Sequence, residues 1–306
     1  MRLGENGEFD ELTGSKLLGG RFISEFEFSH VVVSTPPHGG FGAGTAMGRR
    51  GDVSRLALMT SAVEIVQLTD TVHLARGHAV NWTLVTGDAG VMLIDAGYPG
   101  DRDDVVHSLA RLGYGPGDVC AILLTHAHID HLGSAIWFAN QFGTPVYCHS
   151  AEVGHARREY LEQASVFDVG IRLWRPRWAT WSVHLVRKGG LVRDGIPTTA
   201  ALTPEIAADL PGTPRAVLTP GHTSGHSAYV VDGVLVSGDA LVTGHPLLRR
   251  RGPQLLPAMF TRDQQNCIRS LATLAELDTR ILSPGHGDVW DGPIRDATDA
   301  ALALLR

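Results

Sequence analysis

The chain has 306 residues, 43% apolar and 19% charged, a balance that excludes bulk disorder and fibrous repeats and is enough to bury a real core. Its net charge is −6, so no overall field gathers phosphate backbones, although a local basic patch remains open to it. No apolar stretch reaches the roughly 18 residues of a membrane span, the first 20 residues lack the apolar core of a secretory signal, and three cysteines (Cys120, Cys148, Cys267) are too few for a disulfide framework. These features predict a cytoplasmic protein with no membrane partner.

Residues 1–60 hold 11 of the 36 glycines, including the stretch from Pro36 to Gly44, and show no sustained periodicity. Such a composition buries too little apolar surface to offset its ordering entropy, which predicts a disordered or loosely docked extension ahead of one domain over 61–306. Phe22, Phe26 and Phe28 with the Val31–Val33 run are its candidates for a docked strand or turn, and Met47 and Met59 stand just before the first convincing element. From residue 63, short β-type runs at 63–68, 72–75, 81–86 and 91–95 read as an antiparallel meander. Asp101 to Asp104 then open a helix that stops at Gly113. A buried strand follows at 121–124, a helix at 132–141, a strand at 145–148 and a helix at 151–163. Residues 165–212 hold less pattern, but Pro176 can open a helix that sets Trp178, Trp181 and Leu185 on one face. Strands at 216–218, 228–231 and 234–237, a helix at 262–277, a strand at 280–282 and a helix at 293–304 complete the chain. Two halves of strands and helices in similar order predict two sheets packed face to face with helices outside, an α+β architecture of four layers, αββα.

Fifteen histidines are the abnormal count, and several cluster. His126-Ala127-His128-Ile129-Asp130-His131 places four possible ligands directly after a buried strand, where a rigid scaffold lets side chains converge. Three imidazoles and a carboxylate suit a borderline metal such as zinc, whereas a helix cap needs only one Asp or Ser. The pattern of strand, sharp turn and ligand recurs at Gly221-His222, Gly238-Asp239 and Gly285-His286, each with a glycine that allows close backbone approach. Together these positions supply seven ligands, a number that suits two metal ions sharing one bridge.

This constellation resembles the metallo-β-lactamase superfamily, whose hydrolases carry His-x-His-x-Asp-His, then Gly-His, Gly-Asp and Gly-His. The likeness runs from about Val63 to the C-terminus, and Asp95 in Leu93-Ile94-Asp95-Ala96-Gly97 matches the family's early Asp-x-Gly turn. The resemblance implies the αββα fold. It also implies one zinc on His126, His128 and His222 and a second on Asp130, His131 and His286, with Asp239 bridging; iron or manganese are alternatives. In such sites two divalent ions lower the pKa of a shared water, and Asp130 is the expected catalytic proton shuttle. The expected substrate is a small molecule with an ester, thioester or lactone bond. A β-lactam hydrolase and a mono-iron persulfide dioxygenase are the alternatives on the same fold, and a ligand-depleted binding protein is a third that the complete set argues against.

Around these ligands, His226 is expected to support the site by hydrogen bonding, and Asp95 to orient a ligand or merely form a turn. His245 and Arg249-Arg250-Arg251 fall in a loop that can border the pocket, the arginines reading as a solvated run. Trp174, Trp178 and Trp181 either line an apolar pocket or pack as core, and their face is a candidate homodimer surface. His73, His78, His107, His149, His155 and His184 carry no expected role, and the cysteines read as core packing. Acidity, with no expected basic patch interleaved by aromatics, speaks against nucleic acid as a partner.

Overall fold

The structure, a computed structural model, describes residues 63–305, so the expectations for residues 1–60 lie outside the described residues. The meander forms as expected: β1 (Glu64–Gln67), β2 (Val72–Arg76), β3 (Asn81–Gly87) and β4 (Gly90–Ile94) pair antiparallel in succession. Helix α1 (Arg102–Arg111) returns the chain so that β5 (Val119–Leu123) pairs parallel with β4. Helix α2 (Ile129–Phe142) leads to β6 (Val146–Cys148), parallel to β5. Two short helices, α3 (Val153–Ala156) and α4 (Val166–Gly170), precede α5 (Pro176–Arg187), which starts at the proline as expected. Strand β7 (Ala200–Ala201) then closes a sheet of seven strands in chain order, and α6 (Pro204–Ala208) leaves it.

The second sheet runs in the order β12-β11-β10-β9-β8. Strands β8 (Arg215–Leu218), β9 (Ser227–Val231) and β10 (Val234–Gly238) are antiparallel, and α7 (Gln264–Ala275) crosses over to β11 (Ile281–Pro284), parallel to β10. Strand β12 (Trp290–Asp291) and α8 (Ile294–Ala303) finish the chain.

Side-chain alternation along the strands builds the layers. Met92 and Ile94 of β4 and Ala121 and Leu123 of β5 meet Tyr229, Val234 and Val236 between the sheets. Their neighbours Val91, Leu93 and Ile122 point the other way, onto Leu109, Leu132 and Phe138 of α1 and α2. Leu235 and Leu282 likewise turn outward onto Leu271, Leu274, Ile294 and Ala297 of α7 and α8. These three separate apolar layers make the four-layer sandwich that the sequence predicts.

Two elements depart from expectation by more than two residues. Helix α2 begins at Ile129 instead of 132, because the His128 carbonyl already accepts the amides of His131 (3.0 Å) and Leu132 (2.9 Å) and Asp130 sits favourably in a first turn. The helix expected at 151–163 is replaced by a 3₁₀ turn and the four residues of α3. Arg158 takes a left-handed backbone (φ 63°) there, and its guanidinium donates to the Ala127 carbonyl at 2.7 Å, which turns the chain back toward the histidine cluster.

Candidate metal centre

All four ligand-bearing segments leave strands at one edge of the sandwich. His126 and His128 lie on the connection from β5 to α2, and Asp130 and His131 occupy the first turn of that helix. His222 sits in the turn between β8 and β9, pinned by Thr219 N–H on the His226 carbonyl (2.9 Å). Asp239 and His286 follow β10 and β11, whose parallel register pairs Gly238 with Pro284 and so delivers both to the same place. Asn81 holds the last loop, its side-chain amide donating to the carbonyls of Pro284 (3.0 Å) and Gly287 (2.9 Å). Gly285 is needed for close approach: a Cβ there would stand 2.6 Å from Asp239 Oδ1 and 2.9 Å from His131 Cε1.

The structure brings all seven expected residues together. His128 Nδ1 lies 3.0 Å from His126 Nε2 and 2.9 Å from His222 Nε2. Imidazoles bound tetrahedrally to one zinc at 2.0–2.1 Å would have nitrogens about 3.3 Å apart, so the spacing fits a common ion. Asp239 turns Oδ2 toward His222 Nε2 (3.4 Å) and His126 Nε2 (4.0 Å), and Oδ1 toward His286 Nε2 (3.4 Å) and His131 Nε2 (3.6 Å). Asp130 Oδ2 stands 3.6 Å from His286 Nε2 and 3.9 Å from His131 Nε2. His131 Nε2 and Asp239 Oδ1 are fully buried without hydrogen-bond partners. An orphaned pair of that kind is costly unless a cation satisfies both, so the donor set fits metal.

Surrounding hydrogen bonds fix which nitrogen faces inward. Carbonyls only accept, so His128 Nε2 donates to Glu162 O (2.6 Å) and His286 Nδ1 to Ala79 O (2.6 Å). His131 Nδ1 lies 2.8 Å from Asp95 Oδ2. Asp95 also accepts from the amide (2.8 Å) and hydroxyl (2.7 Å) of Thr125, so it orients a ligand and, at φ 61°, forms the turn as well. His226 Nε2 accepts the Asp239 amide (3.0 Å), which makes it a support for the site, as expected.

Glu152 escaped the sequence reading. Its buried carboxylate accepts from the Ala127 amide (2.9 Å), the Thr223 hydroxyl (2.8 Å), the Gly225 amide (3.0 Å) and His155 Nδ1 (2.8 Å), tying the β5–α2 loop to the His222 loop. Its one sequence signal was an acid three residues before a histidine. His155, assigned no role beforehand, thereby belongs to the support.

Electrostatics divide the site. Burial opposes ionisation of Asp239, but His286, His131 and His222 outweigh it and hold this carboxyl well below the usual range. Burial also works against charge on His131, yet Asp239, Asp95 and Asp130 raise it to about 10, and Asp239 leads the carboxylates that raise His286. Burial and crowding by other imidazoles push His126 and His222 well below the ordinary value, and burial with His155 lowers His128. One half of the site therefore demands positive charge, and the other offers neutral imidazoles, the form that binds metal.

A cleft of about 280 Å³, open to solvent, lies over these donors. Tyr98, Asp130 and His245 stand at its base, with the His245 ring 4.8 Å from that of His286. Leu173, Trp181, Leu185 and Phe260 give it apolar walls. The tryptophans split their roles: Trp181 lines the cleft, Trp178 stacks on Phe260 at 6.1 Å, and Trp174 faces solvent. Of the arginine run, Arg251 stands 3.5 Å from Asp288 at the surface, and none of the three lines the cleft.

A family model described as "Metallo-beta-lactamase superfamily" matches residues 75–286. The probable metallo-hydrolase YflN of Bacillus subtilis (strain 168) is 31% identical over 217 residues, 64% of this chain and 75% of that one. A probable metallo-hydrolase of Methanocaldococcus jannaschii is 26% identical over 70% of this chain and 91% of its own length. Among solved structures, a metallo-beta-lactamase family protein from Thermus thermophilus superposes with a TM-score of 0.55 at 28% identity, over 78% of this chain and 81% of that chain. The chain belongs to the metallo-beta-lactamase superfamily. Within it, the chain is a metallo-hydrolase.

Proposed function

We propose a dinuclear zinc hydrolase that cleaves an ester, thioester or lactone bond in a small molecule with a substantial apolar part. The observation that carries this reading is Asp239, whose two oxygens face two separate sets of nitrogens and so suit a bridge. His126, His128 and His222 would hold one ion, and Asp130, His131 and His286 the other. When bound, the two ions supply a hydroxide nucleophile at neutral pH and positive charge for a developing oxyanion.

The chain's own residues do the rest. Asp130, the least buried of the three site carboxylates, reaches the cleft base, where it accepts the nucleophile's proton and returns it to the leaving group. Leu173, Trp181 and Phe260 exclude water and receive the apolar part of the substrate. The donor set supports this reaction class, and the walls support a preference for an apolar acyl or alkyl group. We place the protein in the cytoplasm, a reading supported by three free thiols, two of them buried.

Elemental mass spectrometry of freshly purified protein tests the metal, and hydrolysis of a panel of thioesters, esters and lactones tests the bond. Two zinc per chain with turnover of at least one panel member is the expected result. One iron per chain with oxygen uptake on a persulfide would replace this reading with the dioxygenase.

A further inference from the structure

The cleft is roofed by a segment whose chemistry differs from the rest of the chain. Residues 167–194 carry six Lys and Arg against two Asp, in a protein of net charge −6. The expectation of no basic patch interleaved with aromatics fails here, because the overall charge concealed it. Lys188 is engaged by Asp101 (2.7 Å) and Asp104 (3.2 Å), pinning the end of α5. Arg172, Arg175, Arg177, Arg187 and Arg193 form no ion pair among the described residues, unlike Arg76, Arg102, Arg157, Arg262 and Arg295.

The same segment exposes hydrocarbon. Phe167 is 75% exposed and Trp174 76%, and with Ile171 they fall at i, i+4 and i+7 along a helical run continued by the Ile171 amide on the Phe167 carbonyl (3.1 Å). Leu173, Val186 and Leu191 are each about half exposed and also line the cleft, so they form its rim together with Arg193. Arg175 stacks over Trp174 at 4.9 Å, the pairing of cation and indole that suits a water–hydrocarbon boundary.

We propose that the exposed face of residues 167–193 docks on an anionic lipid surface, with the mouth of the cleft against the bilayer. Alkyl and aromatic groups enter the interface while arginines that form no ion pair among the described residues meet anionic headgroups, each cation strengthening attachment. A second copy of the chain fits less well, since a two-fold contact through this face sets like charges together. RNA fits less well too: it stacks on flat aromatics, whereas Trp178 and Trp181 are turned inward and most of the exposed groups are aliphatic. Docked in this way, and resting on the hydrolase reading above, the enzyme receives long-chain acyl esters or thioesters directly from the bilayer.

The test is co-sedimentation of the full-length protein with vesicles of phosphatidylcholine alone or mixed with phosphatidylglycerol. Binding is expected only to the mixed vesicles, falling as salt rises. Phe167→Ser with Trp174→Ser should lower it at least tenfold. Arg175→Gln with Arg187→Gln should lower it about 25-fold, roughly fivefold per arginine. Both double variants alter exposed residues outside the cleft lining, so thermal unfolding and hydrolysis of a water-soluble ester should stay unchanged.

No vesicle binding at low salt overturns the proposal, as does binding that survives both double variants. Binding to RNA homopolymer alone, or dimerisation abolished by Trp174→Ser, reassigns the face and equally overturns it. Vesicle binding requires no turnover, so failure of the hydrolase reading and failure of this one are separable.

Discussion

At the scale of single residues, the site rests on side chains that hold other side chains. Asp130→Asn should lower turnover at least 100-fold, the usual range for a lost acid–base group, and reduce metal content toward one ion, read by steady-state kinetics and elemental analysis. Asp95→Asn keeps the shape but not the charge that orients His131, so metal affinity should fall 10- to 100-fold in chelator competition. Glu152→Gln leaves four buried donors facing a weaker acceptor and should cost about 3 kcal/mol in chemical denaturation. Burial alone would raise the Glu152 carboxyl, but His155 and the amide and hydroxyl donors outweigh it and lower it. A carboxyl depressed by folding gives its full stabilisation above the unfolded value of about 4.3, and loses it as pH falls through the lower folded value. Acid titration of stability should therefore lose slope in that window in Glu152→Gln. The first four donors were legible because histidines seldom cluster within six residues, and the other three because a glycine precedes each. Glu152 was not, since its partners Thr223 and Gly225 lie more than 70 residues away.

At the scale of elements, helix α2 is pressed into place as much as it is capped. A Cβ at Gly133 would overlap Pro99 and Tyr98, while the Ser134 hydroxyl donates to the Tyr98 carbonyl at 2.7 Å and the Ala96 amide to the His131 carbonyl at 2.7 Å. Gly133→Ala should cost about 1–3 kcal/mol by thermal unfolding, and because it pushes the first turn of α2 it should weaken metal binding as well. Strands β2 to β5, helices α1 and α7 and strands β9 to β11 were legible from their periodicity and turn residues. Residues 151–163 were not: a helix-compatible stretch is overridden by Arg158, Glu152 and Glu162, whose hydrogen bonds reach across the fold. Residues 165–212 stayed opaque beyond the Pro176 start because α4, β7 and α6 are only two to five residues long.

At the scale of the whole molecule, the donors come from both sheets: His126 to His131 follow the seven-stranded one, and His222, Asp239 and His286 follow strands of the five-stranded one. On the two-metal reading, an ion bound at a concentration of 100 times its Kd adds about 2.7 kcal/mol to the stability of this sandwich. Chelation of both ions, about 5.4 kcal/mol together, should therefore lower Tm by about 10–20 °C, fully reversible on adding zinc, in differential scanning calorimetry. The layered architecture was legible because alternating strands and amphipathic helices leave few ways to stack. Of the cleft walls, Trp181 and the His245 loop were legible as candidates, whereas the way α5 meets the distant Phe260 to complete them was not.

The spread of donors also has a meaning in time. His286 follows His126 by 160 residues. At roughly 5–20 residues per second, a ribosome makes His126, His128 and His131 about 8–30 s before His286 exists. For that interval the nascent chain displays three imidazoles with no second sheet to impose geometry, and an unconstrained site of this kind favours copper over zinc. The site is complete only once the five-stranded sheet closes over the early cluster and supplies the bridging carboxylate and the two late imidazoles.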